Sequence, residues 1–269
     1  MDFNISPEAP LPQPERSSFR QYFIDLYSFF RFTVQFFKEI LFPPYEFKEI
    51  LRQCYYIGFK SFTLISITAF ITGIVFTKQS RPSLTDFGAT AWLPNLVGIA
   101  FIRALAPLVT ALIAAGKIGS GIGAEIGSMK VTEQIDAMEV AATNPFKFLV
   151  CSRIVATTLM TPVLVMYTGL IGMLGAYLNV HVNEMTSMQT FFEGAFSSLS
   201  FLDLYTIVFK SVVYGFTIGL VGCYKGYTAT QGTLGVGKAA NSAVVTTMFL
   251  IFIEEMLIVQ IVNALRDLL

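Results

Sequence analysis

The chain has 269 residues and a formal net charge of zero, and its composition is 54% hydrophobic and only 13% charged. Soluble globular domains carry about 25% charged residues, so this composition excludes a domain covered by water and indicates an integral membrane protein. The balanced charge, without a block of basic residues, also excludes the electrostatic footprint of a nucleic-acid-binding protein. No nucleic acid is therefore expected among the partners.

Two segments precede the first long apolar run. Residues 1–18 are rich in proline and polar side chains, which predicts a disordered cytoplasmic tail. Residues 19–55 mix aromatic and charged side chains too closely for a membrane span. They predict an amphipathic helix that lies in the membrane interface and ends at Pro43, followed by a short elbow that leads into the membrane.

Five apolar runs follow, each long enough to cross a bilayer, which takes about 20 residues. They are residues 56–77, 92–115, 148–178, 203–224 and 242–265. Lys and Arg are concentrated in the N-terminal segment and in the loops after the second and fourth runs. The positive-inside rule therefore places the N-terminus and loop 116–147 in the cytoplasm and the C-terminus outside.

The predicted fold is an all-α polytopic membrane protein. It has an N-terminal interfacial helix and a five-span domain over residues 56–269. Residues 179–202 form its outer, periplasmic loop, which could contain a short helix resting on the outer leaflet.

The most informative stretch follows the second apolar run and begins with glycines spaced by four, at Gly119, Gly123 and Gly127. On a helix this spacing places them on one face, where a second backbone can approach closely. They therefore predict helix packing. Glu125 lies beside these glycines and is expected to pair with Lys117 or Lys130.

A short amphipathic helix is predicted next, over residues 131–144. Its apolar positions recur at helical spacing, and its opposite face carries Glu133, Asp136 and Glu139. The helix is expected to end at Asn144, because the residue before a proline is disfavoured in the α region. The acidic face is either simply solvated or a docking surface for a soluble partner. Anchoring of the loop in spans at both ends favours docking.

Charged residues inside the apolar runs are costly unless they are paired or hydrated. Arg103 lies in the second run, Lys210 in the fourth, and Glu254 and Glu255 in the fifth. Their similar predicted depth suggests that they pair with one another. They either line a polar cavity that receives a lipid headgroup or form salt bridges that hold helices together.

Neither a nucleotide site nor a metal site is predicted. Residues 232–238 match the pattern G-x-x-x-x-G-K, but Ala239 stands where a P-loop needs Ser or Thr for Mg²⁺. This stretch is predicted to be a flexible cytoplasmic turn, so the chain is not expected to hydrolyse ATP. The only histidine, His181, has no companion at a metal-ligand spacing, and no catalytic residue is predicted.

The stretch after the second run resembles the MlaE-type permeases, the membrane subunits of ABC transporters that move phospholipid together with an MCE-domain protein. The resemblance is carried by Ala-Glu-Ile-Gly-Ser-Met at 124–129, Thr-Glu-Gln-Ile-Asp-Ala-Met at 132–138, and Asn-Pro at 144–145 followed by Phe-Leu-Val and Arg153. Length and hydropathy agree along nearly the whole chain. In that family, the loop helix is the coupling helix that contacts the ATPase.

The resemblance implies a homodimer in a bacterial inner membrane, docked on cytoplasmic ABC ATPase subunits that bind ATP and Mg²⁺. It also implies a periplasmic MCE protein and a phospholipid substrate, with no cofactor in this chain. The residues implied to couple to the ATPase are Thr132, Glu133, Gln134, Asp136, Ala137, Met138, Glu139, Asn144 and Pro145.

The resemblance further implies a lipid cavity at the dimer interface, which we expect the first, second and fifth spans to line. Apolar contacts chosen by helical spacing, together with the span charges, give the expected lining: Leu64, Ile67, Ile71, Ile74, Arg103, Leu105, Lys210, Glu254 and Glu255. The family pattern Arg-Glu-Leu-Gly-Pro begins at Arg103, but here Ala104 replaces its Glu.

Two other functions are compatible with these features. One is an ion-coupled secondary transporter of a small apolar or anionic solute, which would use Arg103 and Glu254. The other is a membrane anchor or scaffold that transports nothing. The amphipathic loop helix favours the ATP-driven permease over both.

Overall fold

The computed structural model describes residues 18–43, 45–230 and 232–268, and no strand occurs within these ranges. The predicted tail, residues 1–18, lies outside them except for Ser18. The helices are α1 (Ser18–Leu41), α2 (Phe47–Asp86), α3 (Thr90–Val131), α4 (Gln134–Val140), α5 (Phe146–Glu184), α6 (Met188–Ser197), α7 (Phe201–Tyr227) and α8 (Thr233–Leu268).

Five of these helices, α2, α3, α5, α7 and α8, are long and apolar enough to cross a membrane. They coincide with the five apolar runs, so the predicted all-α polytopic membrane fold is confirmed. Each helix is longer than its apolar run. In particular, α3 continues through the glycines to Val131 and contains π-helical turns at Gly98–Leu105 and Ala115–Gly119.

Two local predictions are wrong. The sequence predicts a short elbow between the interfacial helix and the first span. Instead, residues 47–55 form the first turns of α2, because no Gly or Pro interrupts the helix there. The flexible turn predicted over residues 232–238 is helical from Thr233 onward. Only Gly232 at its start has a positive φ, of 89°, so the chain turns sharply there and α8 begins at once.

Helices α5 and α7 form the centre of the molecule, and α2 and α8 lie outside them. The α2–α5 contact is close because glycines remove the side chains between the two backbones. Gly73 faces the carbonyl of Gly172, and Gly175 faces the carbonyl of Phe70. Helix α8 packs on α3 and α7.

Helix α1 is anchored to the bundle by aromatic side chains on one face. Phe32 is buried, with ring centroids 5.0 Å from Phe146 of α5 and 5.5 Å from Tyr224 of α7. Phe23 and Tyr27 are exposed. We call the end of the molecule that carries α1 and α4 the α4 end, and the opposite end, which carries α6, the α6 end.

Helix α6 packs across the end of the bundle on which it lies. Its first turn is capped by Ser187, whose hydroxyl accepts a hydrogen bond from the Thr190 amide at 3.1 Å. Phe191 and Ala195 are fully buried, in the cluster that contains Leu93 of α3. The predicted outer loop therefore folds as a helix against α3.

Replacement of Gly226 by valine tests the close packing of α7 on α3. A Cβ at Gly226 would lie 2.8 Å from the Ile126 Cβ and 3.0 Å from the Gly123 carbonyl oxygen, so Gly226→Val overpacks this contact. We expect the free energy of unfolding to fall by about 1–3 kcal/mol, measured as a lower thermal midpoint in detergent. Gly121→Val is the control, because a Cβ there would meet no atom within 4 Å. Equal shifts would contradict the packing.

Candidate functional site

Helix α4 is shorter than the sequence predicts. It has seven residues, Gln134–Val140, rather than the range 131–144. It begins after Glu133, whose φ of 58° turns the chain sharply out of α3. It ends because Ala142 is also left-handed, with φ 57°, and the Thr143 amide donates to the Met138 carbonyl at 3.0 Å. This Schellman-type closure ends the helix before Asn144 and its proline are reached.

Helix α4 is attached to its neighbours by two apolar side chains, Ile135 and Met138, and by several polar contacts. Ile135 is fully buried. The Asp136 carboxylate lies 3.0 Å from the Lys130 ammonium at the end of α3.

The side-chain amide of Asn144 donates to the Glu39 carboxylate of α1 at 3.2 Å. The Asn144 Oδ1 accepts a hydrogen bond from the Lys147 backbone amide of α5 at 3.2 Å. The loop is therefore connected to α3, α1 and the start of α5.

The residues predicted to couple to an ATPase divide into an exposed and an anchoring group. Met138 is partly buried and Pro145 is buried, so both face the protein. The exposed residues are Thr132, Glu133, Gln134, Asp136, Ala137, Glu139 and Asn144. The surface that α4 presents at this end is thus mixed, with acidic side chains beside the exposed apolar Val140.

An ion pair between the buried Arg153 and the exposed Glu125 joins α3 to α5. Arg153 is fully buried, and its Nη2 donates to the Glu125 Oε1 at 2.8 Å while its Nη1 donates to the Leu149 carbonyl at 2.9 Å. The predicted partners of Glu125 are therefore wrong. Lys130 and Lys117 lie five and eight residues from Glu125, whereas side chains that meet on a helix are three or four apart.

The glycines of α3 face α7 and α8. Gly119 lies against Ile218, and Gly123 lies against Ala243. Gly127 has Ala229 and Ala239 as neighbours. From α7, Gly222 and Gly226 approach the carbonyls of Gly119 and Gly123. Small residues on both helices thus bring the backbones together.

The acids of α8 meet polar side chains of α7. The buried Lys210 ammonium lies 2.6 Å from the Glu255 Oε1. The Tyr214 hydroxyl donates to the Glu255 Oε2, and the Thr217 hydroxyl donates to the Glu254 Oε1 at 2.5 Å. Within the part of the chain that the structure describes, the Glu254 Oε2 is buried and has no hydrogen-bond partner.

Arg103 does not join these acids, so the predicted pairing is wrong for this residue. Its Nε lies 3.4 Å from the Asp203 Oδ1, and the Arg266 Nη2 donates to the same oxygen at 2.5 Å. The reason is that the partner of Arg103 lies at a different depth in the bundle from the Lys210–Glu255 pair. Because α7 begins at Phe201, Asp203 lies in its first turn at the α6 end, about two helical turns from Lys210.

Asp203 is a functional candidate that sequence reasoning missed. It forms a capping box with Ser200: the Ser200 amide donates to the Asp203 carboxylate at 3.0 Å, and the Asp203 amide donates to the Ser200 hydroxyl at 3.3 Å. The signal that could have found it is Ser-x-x-Asp immediately before an apolar run.

The apolar residues predicted to line a lipid cavity lie on the outer face of α2. Leu64, Ile67 and Ile71 are exposed and Ile74 is partly buried, and none of them lines a described cavity. Leu105 packs partly against the α3–α5–α6 cluster. One subunit therefore does not bring these residues together with Lys210 and Glu254.

Two larger apolar cavities occur in the described chain. One, of about 470 Å³, lies between α3, α5, α6 and α7 at the α6 end. The other, of about 570 Å³, is a groove between α7 and α8.

A family model described as Permease MlaE matches residues 50–261 of the chain, which include almost all of the five long helices. The chain belongs to the MlaE permease family. Similar relatives are named probable ABC transporter permease proteins. One from Rickettsia typhi is 37% identical and covers 82% of this chain and 86% of its own length. One from Synechocystis is 35% identical, and the match covers 89% of this chain and 91% of the Synechocystis protein.

A third relative is the chloroplast protein TRIGALACTOSYLDIACYLGLYCEROL 1 of Arabidopsis thaliana, whose name is that of a glycolipid. It is 31% identical over 77% of this chain and 59% of its own length. Together these relatives identify the MlaE-family chain as a permease subunit of the ABC transporter class.

The ion pair between Arg153 and Glu125 predicts that removing one member lowers the free energy of unfolding more than removing the other. The Arg153 side chain is 2% exposed and that of Glu125 is 48% exposed. Glu125→Ala leaves a guanidinium buried and unpaired, which costs about 3 kcal/mol or more. Arg153→Met leaves a carboxylate that water can solvate and costs less.

Thermal unfolding of the two purified variants in detergent measures this difference. We expect a larger fall in the midpoint for Glu125→Ala than for Arg153→Met. The reverse order, or no change in either variant, would contradict a buried pair.

Proposed function

We propose that this permease is the membrane subunit of an ATP-driven phospholipid transporter that acts between the inner and outer membranes of a bacterium. Family membership supports a permease, and the glycolipid name of the Arabidopsis relative supports a lipid substrate. The observation that carries the proposal is the anchored helix α4, whose acidic face is exposed at the end of three connected helices.

The proposed role of α4 is to receive the movement of a cytoplasmic ABC ATPase, which an ABC-type permease implies. Glu133 and Glu139 are exposed and offer charge to a basic surface. Ile135 and the Asp136–Lys130 ion pair attach α4 to the bundle. A push on this helix would thus reach α3 directly and α5 through Arg153. ATP and Mg²⁺ are assigned to the ATPase, with no cofactor in this chain.

The proposed lipid path lies between two copies of the permease. The exposed apolar face of α2, with Leu64, Ile67 and Ile71, suits acyl chains. Lys210, Glu254 and Glu255 would form the polar part of that path. The positive-inside rule predicts that the α6 end and the C-terminus lie in the periplasm. An MCE-domain protein would therefore meet the permease at the α6 end.

The ion-coupled alternative is less well supported. It needs Arg103 and Glu254 to act together, but Arg103 is engaged by Asp203 at the α6 end, while Glu254 accepts from Thr217 deeper in the bundle. No described contact joins the two groups.

A charge-removal variant tests the coupling surface. Glu133→Ala with Glu139→Ala removes two exposed charges and spares Asp136, which pairs with Lys130. We expect the ATPase subunit to co-purify about tenfold less, which corresponds to about 1.4 kcal/mol of binding free energy. Bound phospholipid, measured by mass spectrometry in the same samples, should be unchanged.

The matched control is Asp86→Ala with Glu193→Ala, which removes two exposed acids at the α6 end. It should retain the ATPase. Equal loss in both variants, or full ATPase binding by the α4 variant, would contradict docking on α4. Purified permease without phospholipid would contradict the proposed substrate.

A further inference from the structure

The cavity of about 470 Å³ at the α6 end is separate from the path proposed between two subunits. Its walls are apolar and come from Ile102 of α3, Val165 and Met173 of α5, and Ile207 of α7. Phe192 and Phe196 of α6 cover it. Its volume lies within the range of small-molecule sites, about 300–1,000 Å³.

The cavity opens sideways between α5 and α7. Met166 and Leu170 on one side of the opening and Leu204 on the other are exposed. These residues belong to helices that are apolar enough to cross a membrane, so the opening faces hydrocarbon rather than water. Hydrocarbon from the bilayer is therefore the material that can fill it.

The rim at the α6 end is charged. Asp203 is the one charged residue among the described residues that line the cavity, and Arg103 and Arg266, which stand just behind it, both contact its carboxylate. The side chains of these two arginines are 24% and 41% exposed. Each guanidinium has five N–H donors, and the described contacts engage only the Arg103 Nε and Nη2, the latter with Asn263 at 3.5 Å, and the Arg266 Nη2. Guanidinium groups bind phosphate oxygens with two parallel hydrogen bonds.

We propose that this cavity binds one acyl chain of an anionic phospholipid, whose phosphate lies at the Arg103–Arg266 rim. The chain enters between α5 and α7, and α6 closes the site from above. This binding needs neither an ATPase nor transport, so its failure would leave the proposed function standing.

The test is photo-crosslinking in vesicles that contain the full-length permease and phosphatidylglycerol with a diazirine in one acyl chain. Labelled peptides identified by mass spectrometry should include the α5 segment around Gly169. A Cβ at Gly169 meets no atom within 4 Å, although the residue lines the cavity. Gly169→Leu should therefore occupy part of the cavity, and we expect it to reduce this labelling about tenfold.

Gly121→Leu is the matched control, because its Cβ is equally free and lies near the other end of α3. In this control, labelling of the α5 segment by the diazirine lipid should equal that in the natural chain. Equal labelling of α5 in Gly169→Leu and the natural chain would overturn the proposal. So would loss of that labelling when an MCE partner is added, because a partner helix would then occupy the cavity.

The headgroup part is tested with the same diazirine chain on phosphatidylcholine. The natural permease should label more strongly with phosphatidylglycerol, and Arg266→Gln should reduce this preference while labelling with phosphatidylcholine persists. Equal labelling by both lipids in the natural chain would overturn the assignment of the rim as an anion site.

Discussion

Hydrocarbon does not solvate charge, so charged side chains within the long helices need partners from other helices. Arg153 and Glu125 join α5 to α3, and Lys210 joins α7 to Glu255 of α8. Asp203 holds Arg103 and Arg266 and thereby joins α7 to both α3 and α8. Buried pairs add little net stability, but they can specify one register. Here they join four long helices, so we expect them to favour one alignment along the helix axes.

Helix α2 is held in a different way, by close glycine contacts with α5. Its outer face carries exposed apolar residues and no described ion pair to another long helix except at the α6 end, where Arg81 meets Glu184. The bundle therefore has a group of helices joined by ion pairs, namely α3, α5, α7 and α8. Helix α2 is attached instead by glycine contacts and by hydrogen bonds such as that from Asn179 to Thr77 at 2.9 Å. A lipid path beside α2 would border the part of the bundle that charge pairing fixes least.

The sequence predicted the membrane fold well because hydropathy over about 20 residues reports directly on the solvent around a helix. It failed at the ends of α4, because Glu133 and Ala142 adopt left-handed conformations usually associated with glycine. It also failed for the partners of Arg103 and Glu125. Those pairings depend on where each helix begins and how neighbours align, and an apolar run defines neither.

Helix α3 connects the two regions to which function is assigned. Near one end it supplies Arg103 to the rim of the α6-end cavity, and near the other it supplies Glu125 and the Lys130 contact to α4. Between them lies a second π-helical turn, Ala115–Gly119. Such turns have looser hydrogen bonding and occur often at functional sites. If α4 is displaced as proposed, α3 is the helix through which we expect the displacement to pass, and this widened turn is where we expect it to bend.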